Sequence, residues 1–203
     1  MANPWALYQR QPSFVLGFHG TDRTVADQAV SRKIKHLKKS EDTTEWLGHG
    51  VYFWENDPAR ALEWAKNGKT KGDITTPDAV GAVIDLGFCL DLTTMTGLQE
   101  VEAAFIALRD TYQQSGLALP QNTQGKDKVK RELDCAVIQA LHRQRAERGA
   151  APYDSVRAAF PEDKPLFDDS GFRKRNHIQI CILKPEKCIK GYFKAIAASK
   201  SGA

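Results

Sequence analysis

The chain has 203 residues, 27% of them charged and 41% hydrophobic, with a formal net charge of +4. That length suits one domain with a substantial core, and the fractions are those of an ordinary soluble globular protein. No apolar run is long enough to span a bilayer, and the small positive excess permits an anionic ligand or a nucleic acid without demanding one.

Met1-Ala2-Asn3-Pro4-Trp5 runs into polar residues and does not read as a signal peptide, so a cytoplasmic protein is expected. Ser13 to His19, bracketed by Pro12 and Gly20, predicts a buried strand. Thr21 or Asp22 then caps a helix to about Arg32. The basic stretch Lys33 to Lys39 reads as a solvated helix end and loop. Val51 to Trp54 predicts a short strand, followed by a helix capped by Asn56 or Asp57 with Pro58 in its first turn. Ala79 to Leu86 and Phe88 to Leu92 read as strands. Leu98, Val101, Ala104, Phe105 and Leu108 mark a helix over 98–114, and Leu133, Val137, Ile138 and Leu141 a second over 126–148. Ala150 to Asn176, rich in Pro, Gly, Asp and Arg, reads as long surface loops. His177 to Leu183 and Cys188 to Lys194 predict two strands joined by the turn Lys184 to Lys187, and 197–203 reads as a disordered tail. Strands at both ends and helices in the middle, with a mainly helical insertion over about 98–149, give an α+β single domain.

Several motifs fail on inspection. Gly68-Lys69-Thr70 ends like a phosphate-binding loop, but Glu63 stands where that motif needs glycine. Gly48-His49-Gly50 begins like a dinucleotide fingerprint, but Phe53 replaces its third glycine and a strand follows. Cys89, Cys135, Cys181 and Cys188 form no CxxC pair and read as reduced, buried thiols. His177, Cys181 and Cys188 match no common zinc spacing, so no metal is expected.

Three segments survive. His19 stands where a strand meets a turn, beside a glycine that lets a ligand approach the backbone. Tyr52, after Gly48-His49-Gly50, and Trp64 on the next helix offer rings to stack on a flat heterocycle, although each also reads as core. Gln179 lies near the start of an apolar strand and is equally readable as a solvent-facing residue.

Together, His19-Gly20-Thr21, Gly48 to Phe53, and the strand from Gln179 to Leu183 followed by Cys188 to Phe193 resemble the ADP-ribosyltransferase superfamily. The branch is that of diphtheria toxin and the poly-ADP-ribose polymerases, which carries a His-Tyr-Glu signature. The resemblance implies a split antiparallel β-sheet with helices inserted between the strands. It implies NAD as co-substrate, without a metal. His19 would hold the adenosine ribose, the Gly20 backbone the nicotinamide carboxamide, and Thr21 would complete that motif. Tyr52 and Trp64 would stack on the nicotinamide ring, and the residue at 179 would touch the nicotinamide ribose. His19, Tyr52 and Gln179 form the implied catalytic set.

Position 179 is Gln where the family has Glu. An amide can hydrogen-bond a ribose hydroxyl, but it cannot set a negative charge beside a developing cation or accept a proton well. Transfer of one ADP-ribose unit, with the acceptor activated by itself, by His177 or by Glu55, is the expectation. In the family the loop before the third motif helps choose the acceptor. Here it spans about 161–176 and holds Phe172, Arg173, Lys174 and Arg175, a mixture suited to bases and phosphates of RNA or DNA. Arg157, Arg143, Arg145 and Arg148 would extend that patch, while Glu162, Asp163, Asp168 and Asp169 interrupt it. Stand-alone bacterial enzymes of this kind serve as toxins in toxin–antitoxin or phage-defence systems, which by analogy adds an antitoxin as a partner. Two other readings stand beside transfer. One is a catalytically inactive binder of NAD, ADP-ribose or nucleic acid. The other is an RNA 2′-phosphotransferase-like enzyme, against which the Tyr52 motif argues.

Overall fold

A computed structural model of the chain describes residues 14–70, 74–123 and 130–195. In chain order its elements are β1 (Phe14–Asp22), α1 (Arg23–Val30), β2 (Val51–Glu55), α2 (Pro58–Thr70), β3 (Pro77–Asp85), β4 (Cys89–Asp91), α3 (Met95–Ser115), β5 (Asn122–Thr123), β6 (Lys130–Arg131), α4 (Glu132–Glu147), β7 (Ser155–Phe160), β8 (His177–Ile182), α5 (Pro185–Cys188) and β9 (Ile189–Lys194). Seven strands form one sheet in the order β4-β7-β8-β2-β1-β3-β9, and β5 and β6 pair separately. The large sheet is mixed: its pairs are antiparallel except β4 with β7, which run parallel. The architecture is α+β, with α3 and α4 inserted between β4 and β7.

Strand alternation assigns the two faces. Val51, Phe53, Val80, Ala82, Ile84, Ile180 and Ile182 pack with Ala26 and Ala29 of α1. The opposite face is divided between two groups of helices. Tyr52, Leu90, Val156 and Cys181 are covered by α3 and α4, whereas Phe18, Trp54 and Ala79 meet Ala61 of α2. One row crosses the sheet on this second face: Phe193, Gly81, Phe18, Trp54, Gln179 and Ala158 are successive cross-strand partners. A Cβ on Gly81 would lie 2.3 Å from the Phe193 ring, and through that gap Phe193 packs edge-on to Phe18 at 5.8 Å.

The helix signals resolve locally. Asp22 caps α1 by accepting from Thr24 N, and its other oxygen accepts from Thr75 N and Thr76 N. Asp57 Oδ1 accepts from Arg60 N at the start of α2. Thr94 caps α3, which ends on left-handed Gly116.

The reading of 150–176 as surface loops fails at β7. Tyr153, Asp154, Ser155 and Val156 are almost completely buried. Their polar groups are satisfied by distant partners: Phe88 N, Lys184 Nζ and Lys187 Nζ donate to the Asp154 carboxylate, and Ser155 Oγ donates to Leu86 O. Composition marks such a strand as polar because its partners are far away in sequence. The predicted turn at 184–187 is replaced by the one-turn α5, which takes in Cys188 so that the last strand opens at Ile189, and the long second helix begins at Glu132. The tail 197–203 and the predicted helix start at Lys126 lie outside the described residues. Among the described residues no helix is long and apolar enough to cross a membrane.

Gly20 fixes the distance between β1 and α2. A Cβ there would lie 2.1 Å from Ala61 O, a backbone atom that cannot swing aside. Gly20→Ala is expected to destabilise the fold by about 1–3 kcal/mol, measured as a lower urea midpoint with an unchanged m-value.

Candidate functional site

β1 pairs with β3 through nine residues but with β2 through only Gly17↔Glu55 and Phe18↔Trp54. Beyond Phe18 the two strands diverge, and His19 Nδ1 lies 2.8 Å from Tyr52 O. A carbonyl oxygen only accepts, so Nδ1 carries the hydrogen and neutral Nε2 is an acceptor. Burial lowers the His19 pKa, opposed by this hydrogen bond. The imidazole is therefore held neutral in one tautomer.

The divergence opens a cleft of about 820 Å³, within the usual range for small-molecule and cofactor pockets. His19, Gly20 and Thr21 line it from β1, Trp54 from β2, Arg60 and Trp64 from α2, and Gln179 and His177 from β8. Trp64 is 46% exposed, which separates it from the buried face of α2 made by Ala61 and Ala65. Its ring lies 6.1 Å from Trp54 and 6.5 Å from His19.

Among the described residues, three buried polar atoms on these walls have no hydrogen-bond partner: Trp54 Nε1, Arg60 Nε and Gln179 Oε1. Trp54 and Gln179 are direct cross-strand partners, and Arg60 Cζ sits 5.8 Å from the Trp54 ring centroid. Leaving such a group unsatisfied costs about 1–3 kcal/mol, so a polar ligand in the cleft would recover what the protein alone leaves unmet.

A lattice of ion pairs stiffens the rim. Arg60 binds Glu63 at 3.0 Å and Glu162 at 2.7 Å, and Arg175 binds Glu63 at 2.6 Å. His177 Nδ1 donates to Arg175 O at 2.9 Å, and burial lowers its pKa. Trp46 packs edge-on to Phe160 at 4.6 Å and lies beneath the Arg131 guanidinium at 4.4 Å.

The structure brings His19, Gly20, Thr21, Trp64, Arg175 and Gln179 to one cleft and places the other expected residues elsewhere. The Tyr52 ring is not on the cleft wall. It lies in the cluster under α3 and α4, where its hydroxyl donates to Gly48 O at 2.6 Å and accepts from Leu47 N at 2.8 Å. Its contribution to the site is its backbone carbonyl. Gly20 is required by α2 on its Cα side, as described above. Arg157 cannot join an acceptor patch beside Gln179. It sits across from Ile180, on the opposite sheet face, clamped by Glu55 at 2.6 and 3.1 Å and by Asp91 at 3.1 Å. The same clamp removes Glu55 as an activating base. Arg145 is likewise engaged, with Glu100 and over the Tyr153 ring. Phe172, Arg173 and Lys174 are exposed on the excursion between β7 and β8, tied by Arg175 N to Glu162 O and Lys174 N to Lys164 O. Among the described residues no group of three His, Cys, Asp or Glu side chains could hold a metal ion.

Trp54, Arg60, Trp46 and Glu45 were not singled out from the sequence. For Trp54 a signal existed, since it alternates with Tyr52 on the same strand face. For Glu45, in a polar loop, none did.

Tyr52→Phe leaves a buried amide and carbonyl without their shared partner. It is expected to cost about 1–3 kcal/mol, seen as a lower melting temperature. The histidines predict a pH dependence. Folded His19, His177 and His142 have depressed pKa values, His142 falling from 6.5 to about 4. The unfolded chain therefore binds more protons in that range. Stability from these groups is complete above the ordinary value of 6.5 and declines as pH drops below it, in the case of His142 until about 4. Urea midpoints measured across that window are expected to fall, and nitrogen-15 spectra should show His19 as the neutral Nδ1–H tautomer at pH 6.5.

No family model matches the chain, and neither a curated protein nor a solved structure matches it.

Proposed function

We propose that the chain is an NAD-dependent mono-ADP-ribosyltransferase that moves one ADP-ribose unit to a macromolecular acceptor, with nucleic acid favoured over protein. The observation that carries the reading is the meeting of His19, Trp64 and Gln179 in one cleft at the divergence of β1 and β2. Those are three positions of the ADP-ribosyltransferase resemblance, drawn from distant parts of the chain. A strand pair that parts after two residues also suits the split sheet of that fold.

Each wall has a task in this reading. Neutral His19 offers Nε2 to a ribose hydroxyl, and the Gly20 backbone offers its N–H and C=O to a carboxamide. Trp64 and Trp54 supply aromatic surface for the nicotinamide in place of the Tyr52 ring. Gln179 hydrogen-bonds the nicotinamide ribose. Loss of nicotinamide leaves an oxocarbenium-like sugar, so the residues act by positioning and by electrostatic complementarity. The exposed Phe172, Arg173 and Lys174 form the acceptor-facing side, with Arg175 at the cleft rim. A role as a toxin restrained by an antitoxin is the biological setting taken by analogy.

A second reading, binding without turnover, is favoured by the neutral amide at position 179. Incubation with labelled NAD and separate RNA, DNA and protein pools divides the two. Transfer predicts nicotinamide release and a labelled macromolecule, lowered at least about tenfold by His19→Ala and by Trp64→Ala. Saturable NAD binding with neither product would establish the second reading instead.

A further inference from the structure

Among the described residues the cleft is lined by three carboxylates, Asp42, Glu45 and Glu162, and two of them are committed. Asp42 Oδ1 accepts from Thr44 N and Thr44 Oγ1, each at 2.8 Å. Glu162 is held by Arg60 at 2.7 Å. Glu45 forms no ion pair among the described residues; its partner is the Ser40 hydroxyl.

The backbone beneath Glu45 is fastened on every side. Ser40 and Gly50 close the base of the loop through reciprocal hydrogen bonds of 2.8 and 3.0 Å. Glu45 N donates to Asp42 O, Arg131 N donates to Thr44 O, and Leu47 N donates to the Tyr52 hydroxyl. Trp46, the next residue, is packed between Arg131 and Phe160. Such a loop presents a side chain to the cleft with little loss of entropy on reaction.

Among the described residues the groups facing Glu45 are few. Asp42 repels it, and Tyr52, Cys135 and Cys181 feel its charge. Glu45 and Gln179 line the same cleft. Lys130, Arg60, Arg175, His19, His177 and Glu162 share the cleft with them. Desolvation, and to a lesser degree Asp42, raise the Glu45 pKa, while the Ser40 hydrogen bond opposes them. A carboxylate so shifted is a stronger base than an ordinary one. His177 is the poorer candidate because its side chain is 3% exposed and its Nδ1 is engaged.

We propose that Glu45 is the general base of the transfer reaction, supplying from the 40–50 loop the carboxylate that position 179 lacks. The inference rests on the ADP-ribosyltransferase reading above. The bond from the ribose C1′ to nicotinamide breaks, and its electron pair leaves with neutral nicotinamide. An O–H or N–H of the acceptor bonds to C1′, and its proton passes to the Glu45 carboxylate and then to water.

The test uses the full chain with NAD alone and with NAD plus total RNA, following nicotinamide release and label transfer across the acid-to-neutral range. Glu45→Gln keeps the size of the side chain but cannot accept the proton. It is expected to lower kcat about 100-fold and to abolish the acid limb of the pH profile. KM for NAD should stay within about twofold, and the melting temperature should not fall. Glu45→Asp should recover part of kcat with the acid limb restored. Wild-type turnover matched by Glu45→Gln, with the same acid limb, overturns the role of Glu45 and leaves the transferase reading intact. Absence of nicotinamide release from the wild type overturns both.

Discussion

The hydrogen bond from His19 Nδ1 to Tyr52 O is the contact on which the site depends. β1 is held along its whole length by β3 but touches β2 through only two residue pairs. Past that point a side chain takes the place of the ladder and satisfies a carbonyl that would otherwise be orphaned. The same bond fixes the tautomer, while burial keeps the ring uncharged against the opposing pull of that bond. A main-chain pair in its place would close the strands and leave no cleft.

α2 completes what the divergence begins. Gly20 and Ala61 bring the helix onto β1 at backbone contact, and Ala65 is completely buried beside them. That approach sets Trp64 at the mouth of the cleft near both His19 and Trp54. The helix also carries Arg60 and Glu63, which reach Glu162 and Arg175 on the excursion between β7 and β8. Two segments far apart in sequence are thereby joined across the rim. The basic character of that excursion is largely neutralised at its root and persists at Arg173 and Lys174, which are exposed.

The helical insertion serves the site from behind. α3 and α4 bury the Tyr52 ring, while β6 and α4 hold the 40–50 loop through Arg131 and Cys135. The inserted layer therefore decides which aromatic faces the ligand. With Tyr52 covered, the next outward position on β2, Trp54, forms the wall. One strand alternation separates the two residues, and the covering layer alone distinguishes their fates.

Local features of the chain were legible because their causes are local. Short apolar runs marked β1, β2, β3, β8 and β9, the helical stripe marked α3, and side-chain caps marked the starts of α1 and α2. The conjunction of His19-Gly20-Thr21 with Trp64 and Gln179 was also readable, since each lies in an apolar run or on a helix with its own pattern. Yet β1 continues through His19 to Asp22 where the glycine suggested a turn, because β3 pairs with it over that whole length. Tertiary structure decided the rest. β7 was hidden because Asp154 and Ser155 are satisfied by Phe88, Lys184, Lys187 and Leu86, which no window of sequence contains. Arg157 looked like a free cation until the sheet set Glu55 and Asp91 against it. Glu45 had no pattern, because its setting comes from what surrounds the loop. By itself the sequence determined which segments could be strands and helices and which side chains were chemically able. Which of those side chains share a cleft, and which are spent on one another, depended on long-range packing and paired charges that exist only once the chain is folded.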